Sequence, residues 1–202
     1  MRPEPRLLAF DTSAAHCAAA LLSGERLLVL RDEAMDKGQA ERLIPLLEEM
    51  LAEAGMSWRD LDALAVGTGP GNFTGVRIAV SAARGLALAL KRPAIGVTRF
   101  DALAFGLPAP VAVIEDARRG EVYLRDGFEP PVIALRDGLQ VRAPRQVGSA
   151  AFADVEAPRF PLAEAIARVA LSRLGDDHPR PAPFYLRGAD AAPAADPPPV
   201  IL

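Results

Sequence analysis

Two stretches carry the residue types that phosphate chemistry uses. Gly67-Thr68-Gly69-Pro70-Gly71-Asn72-Phe73-Thr74-Gly75 puts four glycines ahead of an apolar run that reads as a helix, and Asp11-Thr12-Ser13 closes a short apolar run near the N-terminus. Free backbone N–H groups at a helix start, together with the helix dipole, favour an anion, and glycines allow close backbone approach. Asp11, Thr12, Ser13, Gly69, Gly71, Thr74 and Gly75 are therefore a candidate phosphate loop, a vestigial one, because two sharper motifs fail. The loop has no lysine, so the Gly-x4-Gly-Lys-Ser/Thr spacing is missing, and the third glycine of a dinucleotide fingerprint comes one residue late, at Gly75. The alternative is a rigid turn, fixed at Pro70, that seats the helix after it.

Other chemistry finds less support. His16 and His178 are the only histidines, and neither has a second ligand at metal spacing, so no metal site is expected; both read as surface or turn residues. No Gly-x-Ser-x-Gly turn offers a strained nucleophile, so no catalytic residue is assigned. Asp116-Ala117-Arg118-Arg119-Gly120-Glu121 is the densest charged cluster and reads as a hairpin tip, either solvated or holding a substrate or partner. A net charge of -3 argues against holding nucleic acid directly. The single cysteine, Cys17, excludes a disulfide framework and points to a reduced, cytoplasmic setting. Leu7 to Phe10 is too short for an export signal, and Arg77 and Arg84 break the most apolar segment, so no membrane span is expected.

The elements that must position these residues alternate between strand and helix. Leu7 to Phe10 is a first strand, and Cys17 to Leu22 with Arg26 to Arg31 forms a hairpin about Ser23-Gly24. Leu43, Leu46, Leu47, Met50 and Leu51 recur at helical spacing between Gln39 and Ala54, with Pro45 inside and Gly55 at the end. Ser57 and Asp60 have capping spacing before the strand Ala63 to Val66. A helix follows from about Val76 to Leu90, with Arg77, Ser81 and Arg84 on one stripe and little else polar. Ala94 to Val97 is a further strand, and Thr98 and Asp101 cap a short helix. Past Pro108 and Pro110 the pattern repeats: a strand over Val111 to Ile114, an acidic turn at Glu115-Asp116, and a return strand through Val122, Tyr123 and Leu124. Short strands around Asp137-Gly138 precede a helix over Pro161 to Leu174. A proline-rich tail lies over the body at Phe184-Tyr185-Leu186 and is loose past Asp190.

This predicts a duplicated α/β fold with lobes over 1–107 and 108–190 and a tail over 191–202. A helix apolar nearly all round needs cover on more than one side. Small residues such as Ala79, Ala82 and Gly85 beside bulky leucines suggest that the two long helices share a face for a partner. The expected interface is Leu43, Leu46, Leu47, Met50, Val76, Arg77, Val80, Ala83, Arg84 and Ala87.

Several motifs together resemble the TsaB/YeaZ family of tRNA threonylcarbamoyladenosine biosynthesis proteins. They are Leu8-Ala9-Phe10-Asp11-Thr12-Ser13, Gln39 to Pro45, Gly67 to Ile78, Ile95-Gly96-Val97, Asp116 to Tyr123 and Phe184 to Arg187. The resemblance implies a duplicated actin/Hsp70/sugar-kinase type fold, degenerate as an ATPase. It also implies a non-catalytic subunit that binds TsaD, which transfers threonylcarbamoyl to the adenosine beside the tRNA anticodon, with the ATPase TsaE joining the pair. On that reading the chain has no cofactor of its own, ATP or ADP binds at the complex, tRNA is met only through the complex, and the chain forms a homodimer when alone. Gln39 stands where the family has a histidine, and the second half is trimmed between Phe128 and Phe160. The competing class is an active ATPase or phosphotransferase of the same superfold, for which Asp11 and Asp116 are the candidate carboxylates.

Overall fold

A strand that is apolar on both faces has to be covered on both sides. The computed structural model, which describes residues 4–186, shows how the chain does this for β1 (Arg6–Asp11). Leu8 and Phe10 point to one side of the sheet, into a core with Leu64, Val66 and the buried faces of α1 (Gln39–Glu53) and α2 (Phe73–Leu90). Leu7 and Ala9 point to the other, where Ala63, Ala65 and the helix α4 (Leu162–Ser172) close over them. The period-two alternation of strand side chains thus separates two cores across one sheet.

That sheet has the order β3-β2-β1-β4-β5, with β2 (His16–Ser23) and β3 (Arg26–Ala34) antiparallel and β4 (Ala63–Gly67) and β5 (Ala94–Val97) parallel to their neighbours. The short helix α3 (Arg99–Ala104) follows, capped by Thr98, whose hydroxyl accepts from the Asp101 N–H at 3.1 Å. The second sheet runs β8-β7-β6-β9: β6 (Ala112–Arg118), β7 (Glu121–Arg125) and β8 (Val132–Leu135) are antiparallel, and β9 (Gln146–Val147) is parallel to β6. This repeats the first four strands of the first sheet, so the duplication expected from sequence is present as two lobes. No helix lies between β8 and β9 where α1 lies in the first half.

Four expectations need correcting or refining. α2 begins at Phe73 rather than Val76, because the Asn72 side chain caps it by accepting the Gly75 N–H at 3.0 Å. Glu115 and Asp116 are not a turn: β6 continues through them, and the reversal falls at Arg119-Gly120, where φ is 53° and 75°. Paired positive φ values are what a two-residue hairpin demands. α4 follows the second sheet in the chain but packs on the first. By length and composition alone α2 could cross a membrane, yet Gly75, Val76, Ala79, Val80 and Ala83 are buried against the sheet. Beyond α4 the chain crosses back over the first lobe: the Phe184 N–H donates to the Thr68 carbonyl at 2.8 Å, and Tyr185 stacks on Phe73 with 5.2 Å between ring centroids. The expected loose tail past Asp190 lies outside the described residues.

Candidate functional site

Between the lobes lies a cleft of about 950 Å³. One wall holds Ser13, Gln39 and the start of α2; the other holds Glu115 to Arg119, Tyr123 and Ser149, with Arg99 between. Each wall has a buried carboxylate on a strand of its sheet, Asp11 at the end of β1 and Glu115 midway along β6. Asp11 Oδ1 accepts from the Ser13 N–H at 2.9 Å, the Ser13 hydroxyl at 2.8 Å and His16 Nε2 at 2.8 Å. Burial raises the Asp11 carboxyl, but the His16 bond, the Arg99 charge and the Ser13 amide together outweigh it and hold it below the usual carboxylate range. Glu115 is bound by the Arg99 guanidinium and accepts the Ser149 N–H at 2.7 Å. Arg99 Nη1 also approaches the Ser13 hydroxyl, at 3.4 Å.

The two acids sit against matching glycines. A Cβ added to Gly67, at the end of β4, would stand 2.9 Å from Asp11 Cγ and closer still to Oδ2. One added to Gly148, just past β9, would stand 2.9 Å from Glu115 Oε1 and closer to the Ile114 carbonyl oxygen. The duplication is therefore visible at side-chain level: an acid on each of β1 and β6 lies against a glycine at or just past the end of the parallel neighbouring strand.

The Gly-rich loop is occupied by the chain itself, which answers why its glycines are there. A Cβ on Gly71 would meet Ser13 Cβ at 2.9 Å, and one on Gly75 would meet the Thr12 carbonyl carbon at 2.9 Å. The Asn72 N–H donates to the Ser13 carbonyl at 2.7 Å, and the Thr12 hydroxyl donates to the Gly75 carbonyl at 2.6 Å. Gly69, with φ 90°, lies under the Phe184 carbonyl. Asp11, Thr12, Ser13, Gly69, Gly71 and Gly75 do come together as expected, but to dock the β1–β2 turn on the start of α2. The close approach that glycine permits at Gly71 and Gly75 serves that contact. Thr74 is exposed on the cleft wall.

The expected partner interface divides sharply. Leu43, Leu46, Leu47, Met50, Val76, Val80 and Ala83 are at most 2 % exposed and form the first core, so they cannot present a surface. They are apolar because the sheet needs cover. Arg77 and Arg84 are exposed, and Ala87 is partly so. The outward face of the pair is instead Ala40, Glu41, Ile44, Glu48 and Ala52 on α1, with Ser81, Gly85, Leu88 and Ala89 on α2. Leu88 is 81 % exposed.

A family model described as "TsaD: tRNA N6-adenosine threonylcarbamoyltransferase" matches residues 33–137. The solved structure of YeaZ from Pseudomonas aeruginosa superposes with a TM-score of 0.73 at 31% identity, over 90% of this chain and all of that one. The chain belongs to the TsaB/YeaZ family. The Escherichia coli tRNA threonylcarbamoyladenosine biosynthesis protein TsaB is 38% identical over 58% of this chain, and an uncharacterized protein of Mycobacterium bovis is 36% identical over 94% of this chain and 95% of its own length. The match spans about half the length, 53%, of the Escherichia coli TsaB.

Three residues of this TsaB/YeaZ chain's cleft escaped sequence reasoning. His16, read as a surface residue, is largely buried on Asp11 and also faces Asp32 Oδ1 at 3.5 Å. Arg99 carried only the signal of a helix start, and Ser149 none. Gln39 opens α1 at the cleft rim, its amide donating to the Met35 carbonyl at 3.0 Å. Among the described residues no three His, Cys, Asp or Glu gather as a metal site.

Proposed function

We propose that this chain is a non-catalytic cytoplasmic subunit in tRNA threonylcarbamoyladenosine biosynthesis, which binds a TsaD-type partner through the outer face of α1 and α2. The observation that carries the reading is that face. α2 turns Ser81, Gly85, Leu88 and Ala89 outward, small residues that allow close helix approach beside one large leucine left exposed among the described residues. Its charges are asymmetric: α1 offers Glu41 and Glu48, while α2 carries Arg77 and Arg84 and no acid. Because the TsaD family model itself matches a span holding both helices, the partner has a related helix pair, and a two-fold arrangement sets acidic α1 against basic α2. The same logic gives a homodimer when the partner is absent. TsaE, nucleotide and tRNA meet this chain through the complex.

The absence of chemistry is supported by what the cleft acids do. Asp11 Oδ1 is held by His16 and Ser13, and the two oxygens of Glu115 by Arg99 and Ser149, so both acids serve as structural anchors of the cleft walls in this reading. The test is Leu88→Glu. The variant is expected to fold with unchanged circular dichroism but to lose co-purification with TsaD and support of tRNA modification in the reconstituted system. Wild-type affinity for TsaD would place the interface elsewhere. Steady ATP turnover by the purified wild-type chain, lost in Asp11→Ala, would favour the phosphotransferase reading.

A further inference from the structure

Arg99, Phe100 and Asp101, the first turn of α3, each reach into the second lobe. Arg99 pairs with Glu115 on β6, Asp101 pairs with Arg125 Nη1 on β7, and Arg125 Nη2 donates to the Phe100 carbonyl at 2.8 Å. The Phe100 ring lies in an apolar cluster with Leu103, Val111, Val113 and Val147, closed by Phe184. The same turn is anchored in its own lobe: the Arg99 N–H donates to the Gly69 carbonyl at 2.7 Å, and Asp101 also accepts from Arg173 Nη2, just past α4, at 3.0 Å.

We propose that this turn is a rivet between the lobes that fixes the cleft at one width, so that the chain does not open and close as hinged two-lobed proteins do. The chain crosses between the lobes at 106–111 and again between β9 and α4, and these two crossings leave an axis about which the second lobe could rotate. The pairs to β6 and β7 add attachments on two different strands beside the first crossing, and rotation about that axis would have to break them. Both ion pairs are at least partly buried, with side-chain exposures of 19 and 9 % for Arg99 and Glu115 and 19 and 27 % for Arg125 and Asp101, so solvent screens them less than a surface pair. Hinge motion elsewhere works by concentrating backbone rotation in a few connecting residues while interfaces stay intact. Here an interface of salt bridges and a phenylalanine sits beside the connection and would have to break. The inference stands apart from the proposed partner, since a rigid chain can be rigid in any role.

The test is an interlobe distance measured by spin labels on Glu25→Cys, in the β2–β3 turn, and Leu135→Cys, at the exposed end of β8, in the full chain diluted with unlabelled protein. Cys17 is buried and its thiol is pushed up to about 11, so it does not compete for label. The expected wild-type distribution is narrow and does not move with magnesium ADP or magnesium ATP. Glu115→Gln combined with Asp101→Asn keeps side-chain shape while removing both ion pairs, and is expected to broaden the distribution and shift it to longer distances. It should also speed amide exchange in β6 about tenfold, the effect of losing roughly one charge-assisted bond. A wild-type distance that shifts with nucleotide, or a double variant as narrow as wild type, overturns the rivet. Should the double variant fail to fold, Glu115→Gln alone carries the same two outcomes.

Discussion

Gly75→Ala and Gly85→Ala are the same chemical change on the same helix, and the structure gives them opposite signs. In an open helix site, alanine is more favourable than glycine by about 1 kcal/mol. Gly85 is such a site: it is exposed, and a Cβ there would meet nothing within 4 Å. Gly75 is not, because its Cβ would stand 2.9 Å from the Thr12 carbonyl carbon and inside the radius of the carbonyl oxygen, both backbone atoms that cannot rotate away. The turn must move off α2. Overpacking of this kind costs about 3 kcal/mol, and the 2.6 Å bond from the Thr12 hydroxyl to the Gly75 carbonyl, worth about 1 kcal/mol, is strained with it. Set against the propensity gain, the net is about 3 kcal/mol of destabilisation. For a chain of this size that is a fall in Tm of about 6–12 °C, while Gly85→Ala should raise Tm by about 2–4 °C. Thermal and urea unfolding, at dilutions where the chain is monomeric, decide the matter. Equal stabilisation by both substitutions would refute the reading of the Gly-rich loop as a seat for the β1–β2 turn.

The remaining predictions concern separate parts of the fold. Asp11 has a folded pKa below its unfolded value, so its contribution is complete above about pH 4 and is lost as pH falls through the lower folded value; Asp11→Asn should cost about 2 kcal/mol at pH 7 and flatten that acid limb in urea titrations. Tyr185→Ala removes the Phe73 stack and the 2.9 Å bond from Arg77 Nε, and should raise amide exchange at the first turn of α2 with a stability loss of about 1 kcal/mol. Cys17 should resist a thiol reagent at pH 8 in the native chain and react with one equivalent in denaturant, because burial first, and then the Glu33 charge, keep the thiol protonated. Reaction without denaturant would show that β2 opens.

The elements were legible where the sequence has contrast. Leu43, Leu46, Leu47 and Met50 against Glu41, Glu48 and Glu49 define α1 and its buried side, and β4 and β5 announce themselves as apolar runs bounded by turn residues. What those leucines are buried against was not legible, since a sheet and a partner helix ask for the same residues. α2 is harder still, because alanine, glycine and valine occur all round it and only the fold shows that Ala79 faces the sheet while Ala89 faces out. The cleft was half legible. Asp11 and the glycines were singled out, but His16, Arg99 and Ser149 are brought to the two acids by strand register and by a helix start, which a single sequence does not encode as spacing.

The seating of Asp11 on Gly67 binds two positions that cannot change independently. A side chain at Gly67 is tolerated only if the acid opposite shortens or leaves, and a longer acid than aspartate at position 11 has nowhere to put its extra methylene unless β4 draws back. In a set of relatives this pair should therefore drift as a unit. Gly148 is held differently, because the Ile114 carbonyl oxygen and a φ of 119° exclude a side chain there whatever stands at position 115. Glu115, tied through Arg99 to the opposite lobe, should instead carry that arginine with it whenever it changes.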